Sequence, residues 1–130
     1  MQAFIVELPN RPGSLAAACE ALGARGVNIL ACAGATSGSV GSLAFTADDP
    51  AGALEVLDEH GWSHREVELV TAALEHRPGA LGAAARVMAD AGVNVETMFA
   101  TGMDGRKVLM AFGVSDPGAA LAALGDLARD

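Results

Sequence analysis

Short apolar runs typical of strands alternate with amphipathic stretches typical of helices, and this order occurs twice along the chain. Residues 3–8 (AFIVEL) form the first apolar run, which Pro9 and the Pro-Gly at 12–13 interrupt. Apolar residues then recur at helical spacing from Leu15 to Leu22 and stop at Gly26. The first half therefore predicts, in order, strand 3–8, a helix ending at Gly26, strand 27–35, turn 36–41, strand 42–46, a helix from Pro50 to Gly61 with Asp49 as its N-cap, and an extended stretch 62–67.

The second half repeats this order. Its pattern predicts strand 69–75, helix 80–91, strand 93–100, a turn at 104–105, strand 107–114 and a helix from 117 to about 128. The order β-α-β-β-α-β is that of the ferredoxin-like fold, so we expect an α+β protein with antiparallel sheets and helices on one face. The tandem domains are predicted to span 1–67 and 68–130. Because the chain stops after its last helix, the second unit is predicted to lack its final strand and to leave a sheet edge open.

The two halves are copies of one unit. Residues 10–29 (NRPGSLAAACEALGARGVNI) align with residues 76–95 (HRPGALGAAARVMADAGVNV) without a gap. An internal repeat of this kind defines the architecture before any other feature does. It also places two equivalent junctions of strand, loop and helix in one chain, so two equivalent binding surfaces are expected.

The composition excludes several classes of partner. The net charge is −8 and the pI about 4.7, without a cluster of basic residues, so nucleic acid and anionic membranes are excluded. No apolar run reaches the roughly 18 residues of a membrane span, and the N-terminus lacks the pattern of a signal peptide. We therefore expect a cytoplasmic protein in which Cys19 and Cys32 are buried free thiols.

The Arg-Pro-Gly of each repeat lies where a helix is predicted to begin. The first N–H groups of a helix lack partners and its dipole is positive there, so a carboxylate suits this position. Gly13 and Gly79 would let a small ligand approach the backbone, and Asn28 and Asn94 offer both an acceptor and donors. Together these groups fit the zwitterion of an amino acid.

Each of these residues also has a structural interpretation. Pro-Gly is common turn chemistry, and asparagine tolerates a left-handed backbone. Arg11 and Arg77 could be solvated or paired with surface carboxylates. Recurrence of the whole set favours binding, although duplication copies structural residues as faithfully as functional ones.

The sequence contains no recognisable catalytic, phosphate-binding or metal-binding motif. The glycine-rich stretch 34–41 has the spacing of neither a nucleophile elbow nor a phosphate loop, and is predicted to be a flexible hairpin loop. His60 and His64 have the i, i+4 spacing of metal ligands, but Gly61 interrupts the helix that such a pair requires. We therefore expect neither catalysis nor a bound metal or cofactor.

The segments NRPGSL followed by GVNI, and HRPGAL followed by GVNV, resemble the signature of ACT domains, the small-molecule regulatory modules of amino-acid metabolism. The resemblance covers nearly the whole chain as a tandem pair. It implies side-by-side pairing of ferredoxin-like domains and a small amino acid bound at the seam between them. It also implies that the loop of each unit faces the asparagine of the other: Asn10, Gly13, Ser14 and Leu15 with Asn94, and His76, Gly79, Ala80 and Leu81 with Asn28.

The junction chemistry and the resemblance together define one predicted ligand-binding set. Because His76 stands where the first unit has Asn10, the two sites need not be equivalent. The set comprises Asn10, Arg11, Pro12, Gly13, Ser14, Leu15, Asn28, His76, Arg77, Pro78, Gly79, Ala80, Leu81 and Asn94.

These observations favour a non-enzymatic regulatory protein that binds a small amino acid and thereby biases a partner, such as an amino-acid biosynthetic enzyme. The alternative is an assembly subunit that pairs with such an enzyme through its sheet edges without binding a ligand. A third interpretation, a small enzyme on the same scaffold, lacks a visible acid, base and nucleophile. We also expect a homodimer, since each short unit buries too little surface alone.

Overall fold

The computed structural model describes residues 1–129 and contains strands and helices in the predicted order. They are β1 (Gln2–Pro9), α1 (Ser14–Ala24), β2 (Ile29–Ser37), β3 (Val40–Ala47), α2 (Pro50–Glu59), β4 (His64–Glu75), α3 (Ala80–Asp90), β5 (Val95–Asp104), β6 (Lys107–Val114), α4 (Pro117–Leu124) and β7 (Ala128–Arg129), with a 3₁₀ turn at Gly125–Leu127. The predicted α+β class is confirmed.

The chain divides into two compact units, residues 2–66 and Met1 with the chain from Val67 onward. In the first unit the strand order is β2-β3-β1, and the start of β4 lies beside β1, where the amide of Glu7 donates to the carbonyl of Ser63 at 2.8 Å. In the second unit the order is β5-β6-β4-β7. Each unit therefore has the strand order of a ferredoxin-like sheet.

Each unit has its own core between one face of its sheet and its two helices. In the first unit the alternate residues Phe4, Val6 and Leu8 of β1 are buried together with Leu22 of α1 and Leu57 of α2. Successive side chains of a strand point to opposite faces, so these three define the face that the helices cover.

The second core repeats this arrangement. Val70, Ala72 and Leu74 of β4 are buried with Met88 of α3 and Leu124 of α4. Alternation along the strand again selects one face, so the two units bury corresponding positions.

The last strand of the second unit is present, contrary to the sequence-based expectation that it is missing. The predicted final helix stops at Leu124, and β7 then pairs antiparallel with β4 through Thr71–Arg129 and Ala72–Ala128. A strand of two residues is too short to show the alternation by which strands are recognised in a sequence. Within residues 1–129, β7 covers this edge at Thr71 and Ala72, and the carbonyl of Met1 accepts from the amide of Leu69 at 2.8 Å.

Both hairpins turn through two residues, which corrects the longer turn predicted at 36–41 and the position predicted for the second turn. The turns lie at residues 38–39 and 105–106. The second unit has one more residue before its turn, and the ladder absorbs it as a bulge at Thr101, between the pairs Ala100–Met110 and Gly102–Leu109. The two loops have the same length as a result.

The cysteines are free, but they are less buried than the sequence predicts. Cys32 is exposed on β2, whereas Cys19 is half-buried on α1. Burial, followed by the negative charge that Cys32 and Glu20 carry when ionised, raises the pKa of the Cys19 thiol. The alternation of the edge strand β2 places Cys32 outside the core, a fact that an apolar run alone does not reveal.

Candidate functional site

The two Arg-Pro-Gly loops form equivalent starts for α1 and α3. Gly13 and Gly79 are the N-cap residues, with φ angles of 92° and 87°. Only glycine adopts this left-handed backbone without strain. A Cβ atom placed on either glycine would meet no other atom within 4 Å, so the space in front of both helices is open.

The second and third amides of α1 and α3 lack acceptors, whereas the first amide of each helix has one. Ser14 and Ala80 each donate at 3.3 Å to the carbonyl of the preceding arginine, Arg11 or Arg77. The next two N–H groups of each helix find no acceptor among residues 1–129: Leu15 and Ala16 in α1, Leu81 and Gly82 in α3.

The other two helices show which acceptor such amides bind. The carboxylate of Asp49 accepts from the amide of Gly52 at 3.0 Å, and that of Asp116 accepts from the amide of Ala119 at the same distance. The predicted cap at Asp49 is thereby confirmed. At α1 and α3 no side chain takes this place, so a carboxylate from a ligand has donors available to it.

A cleft of about 490 Å³ lies beside the first loop. Its walls are the end of β1, the loop before α1 and the hairpin of β2 and β3. The lining residues are Leu8, Pro9, Asn10, Arg11, Ser14, Leu15, Gly34, Ala35, Thr36, Gly41, Ser42 and Leu43.

A second cleft of about 560 Å³ lies at the corresponding place in the second unit. When the bulge at Thr101 is allowed for, each of its lining residues is the repeat-equivalent of a residue that lines the first cleft. These residues are Leu74, Glu75, His76, Arg77, Leu81, Ala100, Gly102, Met103, Val108 and Met110.

The predicted site residues are distributed over these clefts. Of the first loop, Asn10, Arg11, Ser14 and Leu15 line the first cleft, while Pro12 and Gly13 line a smaller groove of about 400 Å³ that also includes Trp62. Of the second loop, His76, Arg77 and Leu81 line the second cleft, whereas Pro78, Gly79 and Ala80 do not. The strand residues of the hairpins were missed, because no local motif marks them.

Asn10 has a structural role that the sequence did not reveal. Its Nδ2 donates to the carbonyl of Gly38 at 2.9 Å, and its backbone amide donates to the carbonyl of Ser39 at 2.9 Å. Both bonds hold the loop against the turn of the β2–β3 hairpin. His76 makes neither bond within residues 1–129, so the second loop is not fastened in this way.

Asn28 and Asn94 follow α1 and α3 and are exposed. Their backbones are held by paired bonds: the amide of Asn28 donates to Oδ1 of Asp48 at 2.8 Å, and that of Asn94 to Oγ of Ser115 at 3.1 Å. Neither side-chain amide makes a hydrogen bond within residues 1–129. Both remain available to a ligand.

Within one unit, however, the loop and the asparagine lie at opposite ends of a helix. The helix α1 has 11 residues, which corresponds to about 16 Å between Gly13 and Asn28. A single amino acid is too short to touch both. Asn28 therefore cannot contact the same small ligand as the loop of its own unit.

The two cleft arginines are free to meet an anion. Arg11 and Arg77 are exposed, and neither guanidinium makes an ion pair or hydrogen bond within residues 1–129. By contrast, Arg25 is paired with both Glu55 and Glu59. A guanidinium is well suited to a carboxylate, which it can bind through two parallel hydrogen bonds.

His60 and His64 are engaged with protein groups. Nδ1 of His60 lies 2.9 Å from the carbonyl of Val56, and Nε2 of His64 lies 3.3 Å from Oδ1 of Asp58. Among residues 1–129 no three His, Cys, Asp or Glu side chains group as metal ligands would. Over the same range, no helix is both long and apolar enough to span a bilayer.

Comparison with solved structures finds the same fold in proteins of low sequence identity. A protein from Bacteroides thetaiotaomicron matches with a TM-score of 0.76 and 21% identity, over 95% of this chain and 85% of that one. The ligand-free regulatory subunit of aspartate kinase from Thermus thermophilus matches with 0.68 and 22%, over 97% and 90%. That from Thermus flavus matches with 0.71 and 22%, over 95% and 88%.

No protein-family model matches the sequence, and no curated protein matches it. Identities near 22% support a shared fold and do not extend to ligands or partners. The chain therefore shares the tandem ferredoxin-like fold of these structures.

Proposed function

We propose that this protein is a non-enzymatic regulatory subunit that binds a small amino acid at the seam between ACT-like domains. One observation carries the proposal: the same cleft, beside the same uncapped helix, occurs in both units. A turn needs no cleft beside it, so the repeated turn chemistry alone does not account for two equivalent clefts. Both are large enough for an amino acid.

The ligand would be held by three kinds of group. Its carboxylate would accept from the unpaired amides of Leu15 and Ala16 and from the guanidinium of Arg11. Its ammonium would donate to the carbonyl oxygen of an asparagine side chain. Because Asn28 is a helix length away, that asparagine would be Asn94, supplied by the other unit of the same chain or of a second copy.

The second site would use the corresponding groups. The amides of Leu81 and Gly82 and the guanidinium of Arg77 would receive the carboxylate, and Asn28 would receive the ammonium. A ligand shared between units favours whichever packing brings loop and asparagine together. In this way binding would bias the protein's association with an amino-acid biosynthetic enzyme, a role that the regulatory subunits of similar fold support.

The second candidate, an assembly subunit without a ligand, is supported by the edge strands. Leu30 on β2 is 55% exposed and Met98 on β5 is 46% exposed. Exposed apolar edges favour pairing with another chain, including the homodimer that we propose. Co-purification with an enzyme, with no response to any amino acid, would favour this candidate over the first.

The test is thermal denaturation of the full chain with each of the common amino acids. At a hundredfold excess over its dissociation constant, a ligand should stabilise the protein by about 2.7 kcal/mol. Asn94→Ala and Asn28→Ala should reduce this response without changing the stability of the free protein, since neither side chain makes an internal hydrogen bond. Ser39→Ala, at a turn residue whose side chain lines neither main cleft, is the control. Absence of a response to every amino acid would refute the proposal.

A further inference from the structure

The two clefts correspond in position but differ in the chemistry of their walls. The first presents the hydroxyl groups of Ser14 and Thr36. Neither hydroxyl makes a hydrogen bond within residues 1–129. A ligand that enters this cleft therefore meets several donors and acceptors whose partners are otherwise water.

The second cleft has lost these groups. Met103 stands where the first cleft has Thr36, and the hydroxyl of Ser14 has no counterpart, since the equivalent residue is Ala80. Val108 and Met110 replace Gly41 and Leu43, respectively. The walls are therefore formed mainly by aliphatic and thioether side chains: Leu74, Leu81, Met103, Val108 and Met110.

Close packing around Gly41 leaves little room for a side chain on this wall of the first cleft. A Cβ atom on Gly41 would lie 3.2 Å from Cγ2 of Thr36 and 3.4 Å from the carbonyl oxygen of Leu8. Thr36 and Gly41 are paired across the hairpin, so the threonine and the glycine fit each other. Their counterparts in the second cleft, Met103 and Val108, are also paired, and both have changed to apolar side chains.

The charged residue that lines the second cleft does not make its wall selective for a charged side chain. Glu75 lines the second cleft where the first has Pro9, but its Oε1 lies 3.8 Å from Nζ of Lys107. The carboxylate thus has a cation beside it. Neither cleft presents an unpaired acid that would select a basic side chain.

We propose that the two clefts select different amino acids: the first a side chain that carries a hydroxyl, the second an apolar side chain. This selectivity rests on the proposed function, because it concerns the side chain of the same bound amino acid. A wall that can hydrogen-bond a hydroxyl favours the ligand that has one. Methionine side chains adapt to apolar groups of varied shape and bury them from water.

The test uses pairs of amino acids of nearly equal shape, titrated calorimetrically into the full chain. L-threonine should bind more tightly than L-valine, by about fivefold or more, as the net value of one hydrogen bond predicts. L-leucine should bind more tightly than L-asparagine by a similar or larger factor. After saturation with L-threonine, L-leucine should still bind at an independent site.

Exchange variants assign each ligand to its cleft. Thr36→Met should remove the preference for L-threonine over L-valine and leave the binding of L-leucine intact, which also shows that the variant folds. Met103→Thr should have the opposite effect. Leu121→Thr introduces a threonine at an exposed position of α4 that lines neither cleft and should alter the binding of neither ligand.

The outcomes separate the two claims. Competition between L-threonine and L-leucine for the same sites, or equal effects of Thr36→Met and Met103→Thr on one ligand, would overturn the selectivity and leave the proposed function standing. If the protein binds other amino acids but none of these four, the selectivity is likewise overturned and the proposed function stands. Failure of every common amino acid to bind would refute both.

Discussion

Two glycines in the first loop and helix offer a direct test of how α1 begins. Gly13 precedes the helix with a φ of 92°, whereas Gly23 lies inside it with an ordinary negative φ. A Cβ atom on either residue would meet nothing within 4 Å. Replacing each by alanine therefore makes the same chemical change, without a steric clash, in two different backbone conformations.

The expected effects have opposite signs. Alanine in a left-handed conformation costs about 1–2 kcal/mol, so Gly13→Ala should lower the free energy of unfolding by that amount. Alanine in a helix is favoured over glycine by roughly 0.5–1 kcal/mol, so Gly23→Ala should raise it. The two variants should therefore differ by about 1.5–3 kcal/mol.

Urea unfolding followed by tryptophan fluorescence measures this difference. Trp62 is the only tryptophan and packs against the core of the first unit, so its signal reports the unit that contains both substitutions. If Gly13→Ala leaves the midpoint unchanged or raises it, α1 does not begin at a left-handed glycine. The open space in front of the helix, on which the ligand site depends, would then lack its structural basis.

Four further predictions concern the cap, the cysteines and the first loop. Asp49→Ala should destabilise the first unit by about 1 kcal/mol through loss of the carboxylate cap, measured by tryptophan fluorescence in urea; a neutral result would contradict the capping bond. Exposed Cys32 should react with a thiol reagent faster than Cys19. Burial raises the pKa of the Cys19 thiol above its usual 9.0, so the folded state holds that proton more tightly than the unfolded state does. This contribution to the free energy of unfolding is present below pH 9 and is lost as the pH rises through the pKa of the folded state. Cys19→Ala should flatten that alkaline fall in denaturation midpoints. Asn10→Ala should cost about 1 kcal/mol and speed amide exchange at the β2–β3 turn, because it removes the bond to the Gly38 carbonyl.

The predictions that succeeded depend on residues close together in sequence. The spacing of apolar residues, the glycines that stop helices and the Asp-Pro pairs that start α2 and α4 act within a turn or two of chain. The failures also have local causes. The strand β7 is too short to show a pattern, and the extra residue at Thr101 became a bulge because the ladder could accommodate it without lengthening the turn.

The candidate site shows the limit of this reasoning most clearly. The loop residues from Asn10 to Leu15 were identified from their repeat, but Thr36 and Gly41 were not. They reach the site only because β2 and β3 pair in one register and the side chain of Asn10 holds their turn. The exposure of Cys32 depends in the same way on its position on an edge strand.

The sequence by itself determined the duplicated unit, the order of its strands and helices, and the two loops at which helices begin with glycine. The tertiary structure alone decided that each loop borders a cleft, which hairpin residues line it, and that the two linings differ. The reason is physical: helix and turn formation depend on neighbours along the chain, whereas a cleft exists only where strand register and packing bring distant residues to one place.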